Sequence, residues 1–152
     1  MTQIPRASRS PIAPEICNLA KAIDMVGDRW CLLILRSALY GVRRFDDFQT
    51  ELGAPRTVLS GRLKRLTDVG ILQRVSYKEP GKRARPEYLL TEMGASLQPI
   101  LIGLTQWGDR WVGNSDPPIS FTHKNGQAIR AGFVDEADRA LPASEIRIVI
   151  RK

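Results

Sequence analysis

The chain has 152 residues, of which 43% are hydrophobic and 26% are charged, as expected for one globular domain with an appendage; the net charge is +7. No apolar run approaches the roughly 20 residues of a membrane span, and the N-terminus lacks the apolar centre of a signal peptide. Two cysteines are too few for a secreted disulfide framework, so we expect a cytoplasmic protein that does not bind membranes.

The N-terminal third predicts a disordered arm followed by two helices. Residues 1–13 are polar and Pro-containing and form the arm. The first helix is predicted from about Pro14 to Met25, because apolar residues recur there at the helical period. Asp28 is a suitable N-cap for a second helix over 29–40, whose apolar run WCLLIL is typical of a core.

The next segment predicts a helix-turn-helix. FDDFQTEL is a short amphipathic helix that directs Phe45 and Phe48 inward, and Gly53-Ala54 makes a tight turn after it. The following helix has Pro55 at its first position and Gly70 as a left-handed C-cap. Two short helices joined by a tight turn, the second of them basic, match the geometry of a DNA-binding helix pair.

The excess positive charge is concentrated between Arg56 and Arg85. This stretch holds nine Lys/Arg and two acidic residues, so it alone accounts for the net charge, and the other 122 residues are neutral. Charge confined to one helix and the hairpin after it is typical of a surface that binds a polyanion. The helix buries Leu59, Leu63 and Leu66 on one face, and its opposite face is polar and basic, as a helix in a major groove requires.

A β-hairpin follows the basic helix and completes a winged helix. ILQRVSY and PEYLLT are its predicted strands, and Pro80-Gly81 is the turn signal between them. The loop carries Lys78, Lys82, Arg83 and Arg85, which can reach phosphates or a minor groove.

The segment after the hairpin predicts one long helix over 92–113. Thr91 is its predicted N-cap, and the helix extends about 31 Å from Glu92 to Val112, with a kink at Pro99. Apolar residues recur in it with heptad-like spacing, which favours a dimer interface. They are Met93, Leu97, Ile100, Leu104, Trp107 and Trp111, with Leu101 and Ile102 widening the apolar surface.

The tail over 114–152 predicts a linker and a small three-stranded β-rich piece. Asn125-Gly126 indicates a hairpin, and EIRIVIR alternates as a further strand. His123 is the only histidine and no cysteine follows Cys31, so a zinc site lacks its ligands. No nucleophile motif, phosphate-binding loop or dinucleotide fingerprint is present, and we therefore expect neither cofactor, metal nor catalysis.

Several motifs resemble those of HxlR-type bacterial transcriptional regulators. CNLAKAIDMVGDRWCLLILRSALYGVRRFDDFQTELG is followed in order by GRLKRLTDVGIL, PEYLLTEMG and LQPILIGLTQWG. The resemblance covers about Ile16 to Trp111. It implies a homodimeric winged helix-turn-helix protein in which the second helix of the pair reads an operator, the wing contacts flanking DNA and the terminal helices form the dimer. The expected fold is α+β, mostly α, with a winged helix-turn-helix domain over 14–91, a long C-terminal dimerisation helix and a small β-rich tail.

The site residues follow from the basic surface and from the resemblance. The expected contacts to bases or adjacent phosphates are Arg56, Thr57, Ser60 and Lys64, and Gly61 stands where the family more often has a larger polar residue. The expected contacts to the DNA backbone are Arg43, Arg44, Arg62 and Arg65, and those of the wing are Lys82, Arg83 and Arg85. The expected dimer interface comprises Ile16, Leu97, Ile100, Leu101, Leu104, Trp107 and Trp111.

Two hypotheses about function remain open. The first is a regulator, in the form of a homodimeric repressor on a pseudo-palindromic operator, which a small molecule or an electrophile can control. The second is a winged helix that binds proteins or ligands without operator specificity. Cys17, in the first turn of the first predicted helix and one turn from Lys21, is a candidate redox sensor, although a cysteine packed at the dimer interface explains it as well.

Overall fold

The computed structural model describes residues 12–113 and 116–149, which divide into two units. The larger unit is Glu15–Leu101, and the other unit contains the chain from Ile102 onwards together with the residues before Glu15. Most of the predicted N-terminal arm, residues 1–11, lies outside the described residues. The fold prediction, α+β and mostly α with a winged helix-turn-helix, is confirmed.

The larger unit follows the predicted order of elements closely. A single 3₁₀ turn over Pro14–Ile16 precedes the first helix. The helices are α1 (Asn18–Val26), α2 (Arg29–Leu39), α3 (Phe45–Leu52), α4 (Arg56–Asp68) and α5 (Glu92–Ala95), and the strands are β1 (Leu72–Tyr77) and β2 (Arg85–Leu90). Two local predictions need correction: Cys17 is the N-cap of α1 rather than part of its first turn, and Pro55 is the N-cap of α4 rather than its first residue.

The ends of these helices are stabilised as their sequences indicate. The Asp28 carboxylate accepts hydrogen bonds from the backbone N–H groups of Trp30 at 3.0 Å and Cys31 at 3.2 Å, which confirms it as the N-cap of α2. Gly53 and Gly70 have φ values of 60° and 80°, so each ends its helix in the left-handed conformation that glycine adopts without strain.

The core of this unit lies where α2, α3, α4 and β1 meet. Its fully buried side chains include Leu59, Leu63 and Leu66, which confirms the predicted buried face of α4. Phe48 packs with them, as does Cys31 of the apolar run in α2. Burial of this apolar surface fixes α4 on one side and leaves its other side to solvent.

A polar contact inside this unit fixes α3 against α2. The buried Ser37 hydroxyl oxygen lies 2.9 Å from Glu51 Oε1 and 3.0 Å from the Leu33 carbonyl oxygen, so its single proton is shared between these two acceptors. The Arg36 guanidinium donates to the same carboxylate oxygen of Glu51 at 2.7 Å. Glu51 therefore joins α3, the first helix of the helix-turn-helix, to α2. Neither Glu51 nor Ser37 was singled out from the sequence.

The hairpin is antiparallel, with Leu72 paired with Leu90 and Tyr77 paired with Arg85. It is attached to the helices by the segment before α3, because the Tyr88 N–H donates to the Arg43 carbonyl at 2.8 Å. Arg44 also forms a backbone bridge with Glu87. These bonds hold the wing beside the N-terminal end of α3.

The prediction of one continuous, kinked helix over 92–113 is wrong. The Thr91 hydroxyl accepts a hydrogen bond from Gly94 N at 3.1 Å, as predicted, but α5 ends at Ala95 and α6 begins at Gln98 and runs to Trp111. Pro99 is therefore in the first turn of α6, where its missing N–H has no intrahelical acceptor to lose, and it causes no interior kink.

Gly94 lies close to the start of the hairpin. A Cβ atom on Gly94 would lie 2.3 Å from the backbone oxygen of Ile71, so α5 touches the start of the hairpin at a distance that only glycine permits. Leu97 and Leu101 pack partly buried against the core of the larger unit. Packing within the chain covers part of each side chain, and their role in a dimer interface stays a prediction.

The second unit contains α6 from Ile102 onwards and the C-terminal extension, whose described residues are 116–149. Thr122 and Ala128 form a bridge around Asn125-Gly126, where Gly126 has a φ of 86°, so the predicted turn is present. A second hairpin pairs β3 (Phe133–Val134) with β4 (Ala140–Leu141). Residues 146–149 of the predicted strand EIRIVIR follow a 3₁₀ turn (Ala143–Glu145) and pair with no strand in the described residues, so the three-stranded piece is wrong.

Gln106 connects α6 to the extension. The Gln106 side-chain amide donates to the Ile129 carbonyl at 3.0 Å, and its oxygen accepts from the Ala131 N–H at 2.9 Å. A Cβ on Gly103 would lie 3.2 Å from that of Ala131, so the chain passes close to the helix there.

Among the described residues, no helix is long and apolar enough to cross a bilayer.

Candidate nucleic-acid interface

The face of α4 opposite the core is an open polar surface. Thr57, Ser60, Gly61 and Lys64 are all exposed, and their spacing of three, one and three residues places them in one stripe along the helix. Arg56 is exposed at the start of the same helix. We call these five residues the open face. It unites all the residues of α4 that were predicted to contact bases.

Gly61 leaves a gap in the middle of the open face. A Cβ built on this residue meets no atom within 4 Å, so packing within the chain does not require glycine there. The backbone of α4 is therefore accessible at this point, and a bulky group of a ligand can approach it closely.

Lys64 and Arg56 differ in how they are held. Lys64 forms an ion pair with Asp68 one turn further along α4. The Arg56 guanidinium lies 4.8 Å from the centre of the Phe45 ring and donates to Gln49 Oε1 at 3.0 Å. Stacking and hydrogen bonding to α3 place the Arg56 guanidinium at the junction of the helix pair, whereas the Lys64 ammonium lies on an exposed turn.

Asp46 connects the start of α4 to the wing. Its carboxylate oxygens lie 3.7 Å from Arg56 Nη1 and 3.4 Å from Arg85 Nη1. All three side chains are well exposed, so these pairs add little to stability and are weakened by salt. They do bring a cation of α4 and a cation of the wing to opposite sides of one carboxylate.

The wing is attached through Arg44. Its guanidinium lies 4.1 Å from the centre of the Tyr77 ring and pairs with Glu79 at 3.1 Å and Glu87 at 3.4 Å. Tyr77 donates from its hydroxyl to Glu79, and Lys82 pairs with the same carboxylate. Hydrogen bonds from Lys82 and Tyr77 lower the pKa of Glu79 to about 2. Arg44 thus contacts three wing residues that the sequence did not single out.

A cleft of about 550 Å³ opens between α3, the start of α4 and the wing. It contains five cationic side chains that the sequence predicted as DNA contacts, although acidic side chains share it. The cations are Arg44, Arg56, Lys82, Arg83 and Arg85, and the acids are Asp46, Asp47 and Glu79. Such a mixture can hold phosphate oxygens if the carboxylates give up their partners, because both are oxygen acceptors for the same guanidinium groups.

Two arginines that were predicted to contact the DNA backbone instead contact other parts of the chain. Arg62 Nε lies 3.0 Å from Asp28 Oδ2, and Arg65 donates to the backbone carbonyl of Asp24. Both arginines therefore contact the junction between α1 and α2. Arg43 is exposed beside the wing, and its backbone carbonyl accepts the bond from Tyr88 described above.

The two cysteines have different environments. Cys31 is fully buried, as predicted, and burial raises the pKa of its thiol to about 12, so it stays protonated. Cys17 is partly exposed, and its side chain makes no capping hydrogen bond to α1.

Two apolar stripes are uncovered in the single chain. The first follows the N-terminal segment at Ile16, Leu19 and Ile23. The second follows α6 at Ile100, Leu104, Trp107 and Trp111, where the two tryptophans are 57% and 66% exposed. Large apolar side chains in rows at helical spacing are typical of surfaces that meet another protein surface.

The described residues contain no group of three or more His, Cys, Asp or Glu side chains that could hold a metal ion. His123 is exposed at the turn of the extension, where its Nδ1 accepts from the Asn125 N–H at 3.4 Å.

The chain is similar to known regulators over most of its length. It is 44% identical over 107 residues to an uncharacterised HTH-type transcriptional regulator of Mycobacterium tuberculosis, which covers 70% of this chain and 66% of the relative. The crystal structure of PA1607, a candidate transcription factor, matches with a TM-score of 0.74 and 30% identity over 88% of this chain and 94% of PA1607. The redox regulator HypR in its reduced form matches with a TM-score of 0.55 and 27% identity over 60% of this chain and 90% of HypR.

The model of the HxlR-like helix-turn-helix family matches residues 25–116, which include the helix pair, the wing and α6. The match covers more than half of the chain, and the relatives that agree with it are transcriptional regulators. The protein is therefore a member of the HxlR-like helix-turn-helix family of transcriptional regulators.

Proposed function

We propose that the protein is a DNA-binding repressor that acts as a homodimer on a pseudo-palindromic operator in the cytoplasm, without catalysis. The observation that carries the proposal is the open face of α4, which lies beside the cationic cleft and the wing. A helix with short polar side chains and two cations on its outer face fits a major groove. The adjacent guanidinium groups supply phosphate contacts that fix its register.

The side chains divide into two roles. Thr57 and Ser60 read base edges, and Gly61 allows the helix backbone to approach them. Lys64 contacts the phosphate beside these bases, and the other phosphate contacts are Arg43, Arg44, Arg56, Lys82, Arg83 and Arg85. Asp46 and Glu79 compete with phosphates for several of these cations, so DNA binding must exchange one acceptor for another at similar geometry.

The homodimer is proposed from the two uncovered apolar stripes. Ile16, Leu19 and Ile23 on one stripe, and Ile100 to Trp111 on the other, are covered when a second copy packs against them. A two-fold dimer presents two α4 helices, which suits half-sites about one DNA turn, roughly 34 Å, apart. Residues 116–149 have no assigned part in this arrangement.

The test is fluorescence anisotropy with the DNA upstream of the protein's own gene and a scrambled duplex, at several salt concentrations. We expect the specific duplex to bind about 10³-fold more tightly, with a steep salt dependence. Equal binding to both duplexes would contradict operator recognition. It would favour the second hypothesis, a winged helix that binds an acidic protein or a small molecule.

Control by an electrophile is a second part of the proposal. It is supported by the partial exposure of Cys17 at the start of α1 and by the similarity to HypR, a redox regulator solved in reduced and oxidised forms. We expect diamide to weaken operator binding by the wild type but not by Cys17→Ser. Equal loss of binding in both proteins would assign the effect to another residue and make Cys17 a packing residue.

A further inference from the structure

The basic residues of α4 form two groups with different surroundings. Lys64 and Arg56 belong to the open face, and Lys64 has a side chain that is 75% exposed. Arg62, which is half-buried, and Arg65, which is exposed beside the open face, instead contact Asp28 and Asp24. In the Arg62–Asp28 pair the side chains are only 37% and 32% exposed. The charge of Arg62 therefore has a partner within the fold.

Asp28 is a well-determined partner for Arg62. One of its carboxylate oxygens accepts from Trp30 N and Cys31 N at the start of α2, and the other faces Arg62 Nε. The Nε atom is itself buried and has no aligned hydrogen-bond acceptor, so the contact is an attraction between charges. If Arg62 turned towards a phosphate, Asp28 would lose its counter-ion while its backbone partners held it in place.

The two contacts together restrict how α4 can move. Arg62 and Arg65 are three residues apart, so they lie on the same side of the helix and attach it to the junction between α1 and α2 at two points. Attachment along one side opposes rotation of the helix about its axis. That rotation decides in which direction Thr57, Ser60 and Lys64 point.

We infer that Arg62 and Asp28 are a positioning pair, which orients α4 for base reading without touching DNA. This inference rests on the proposed function, because it requires that the open face of α4 reads an operator. It replaces the sequence-based expectation that Arg62 holds a phosphate.

Four variants separate positioning from phosphate contact. Asp28→Asn removes the charge but keeps an N-cap oxygen, since asparagine caps helices about as well as aspartate. Arg62→Gln removes the other charge, and the double variant removes both. Lys64→Gln on the open face is the matched control, because it removes one cation from the same helix. Operator and scrambled duplex are titrated with each protein at several salt concentrations, and thermal melts confirm folding.

We expect Asp28→Asn and Arg62→Gln each to weaken operator binding by about three- to tenfold, and the double variant to be no worse than either, because the two residues act through one contact. Neither change should alter the slope of log affinity against log salt. Lys64→Gln should reduce the magnitude of that slope by about one, which is the contribution of one phosphate contact. Arg62→Lys, which keeps a charge for Asp28, should restore most of the affinity.

A phosphate contact and a positioning pair predict different results for the same variants. If Arg62 holds a phosphate, Arg62→Gln reduces the salt slope as Lys64→Gln does, and Asp28→Asn leaves affinity unchanged or raises it by freeing Arg62. Either result overturns the positioning pair while operator binding by the wild type still stands. If Arg62→Gln folds poorly, Asp28→Asn decides alone, because it keeps every basic side chain. A wild type that binds both duplexes equally would instead overturn the proposed function.

Discussion

The larger unit and the C-terminal extension are held in shape by different interactions. In residues 15–101 a cluster of ten hydrophobic residues is buried, and polar contacts such as Glu51 with Ser37 lie around it. Among described residues 102–113 and 116–149, none is buried. The extension instead relies on turns and on hydrogen bonds such as those of Gln106. A shared core makes the first unit cooperative, whereas the second depends on local bonds that can open separately.

The largest expected effect comes from the core. Leu63→Ala removes a fully buried side chain, so we expect it to lower the free energy of unfolding by about 2–5 kcal/mol. Phe133→Ala in the extension removes a larger side chain that is 52% exposed, and we expect a loss of about 0.5 kcal/mol or less. Urea titrations followed by circular dichroism measure both. Similar losses would mean that the extension shares the core's cooperativity.

A substitution on the open face of α4 should act in the other direction. Gly61→Ala should raise the free energy of unfolding by about 0.5–1 kcal/mol, because alanine favours a helix and its Cβ meets no neighbour. The melting temperature of the isolated protein measures this gain. A loss of stability would show that an unseen contact requires the glycine, and a weaker operator complex beside a stabilised protein would show that the gap serves DNA.

The contact between Gln106 and the extension should matter locally. Gln106→Ala removes both hydrogen bonds to residues 129–131, so amide exchange at Ala131 should become faster by about tenfold while global stability changes by about 0.5 kcal/mol or less. Gln98→Ala, on an exposed position of the same helix, is the control and should leave that exchange rate unchanged. Unfolding of the whole protein would contradict local attachment.

Acid should weaken ionic contacts in both units. Hydrogen bonds from Lys82 and Tyr77 lower the pKa of Glu79 to about 2, and hydrogen bonds from Arg139 lower the pKa of Asp135 in the extension. Because both values are lowered on folding, the stabilisation is complete above the unfolded values near 4 and is lost as pH falls through the folded ones. Carboxylate chemical shifts between pH 6 and 2 should show Glu79 ionised throughout most of this range. A midpoint near 4 would mean that the wing network does not form.

The elements that could be predicted from sequence are those whose reasons are local or periodic. Leu59, Leu63 and Leu66 recur at the helical period, and all three are buried. Asp28 caps α2, and Gly53 and Gly70 end helices, because these residue types favour those backbone positions. The open face followed from the same periodicity, because residues opposite a buried stripe face solvent.

Partners distant in sequence could not be predicted. Arg62 and Arg65 carry the same charge as Lys64, and nothing in their type distinguishes a contact with Asp28 or Asp24 from one with a phosphate. The break before α6 was missed because the apolar spacing continues across it from Met93 to Leu97 and Ile100, so the periodicity does not mark it. The alternation of EIRIVIR indicated a strand, but a strand needs a neighbouring edge, and residues 146–149 pair with none in the described part of the chain.

By itself, the sequence determined the winged helix-turn-helix, the buried and open faces of α4 and the family, because periodicity, capping and motif order act within short segments. Only the tertiary structure decided which carboxylate each of several cations faces. It brought Arg56 and Arg85 to one carboxylate, attached Arg44 to the wing and turned Arg62 to Asp28. The physical reason is that an ion pair depends on a distance of a few ångströms between side chains far apart in the chain, and folding sets that distance.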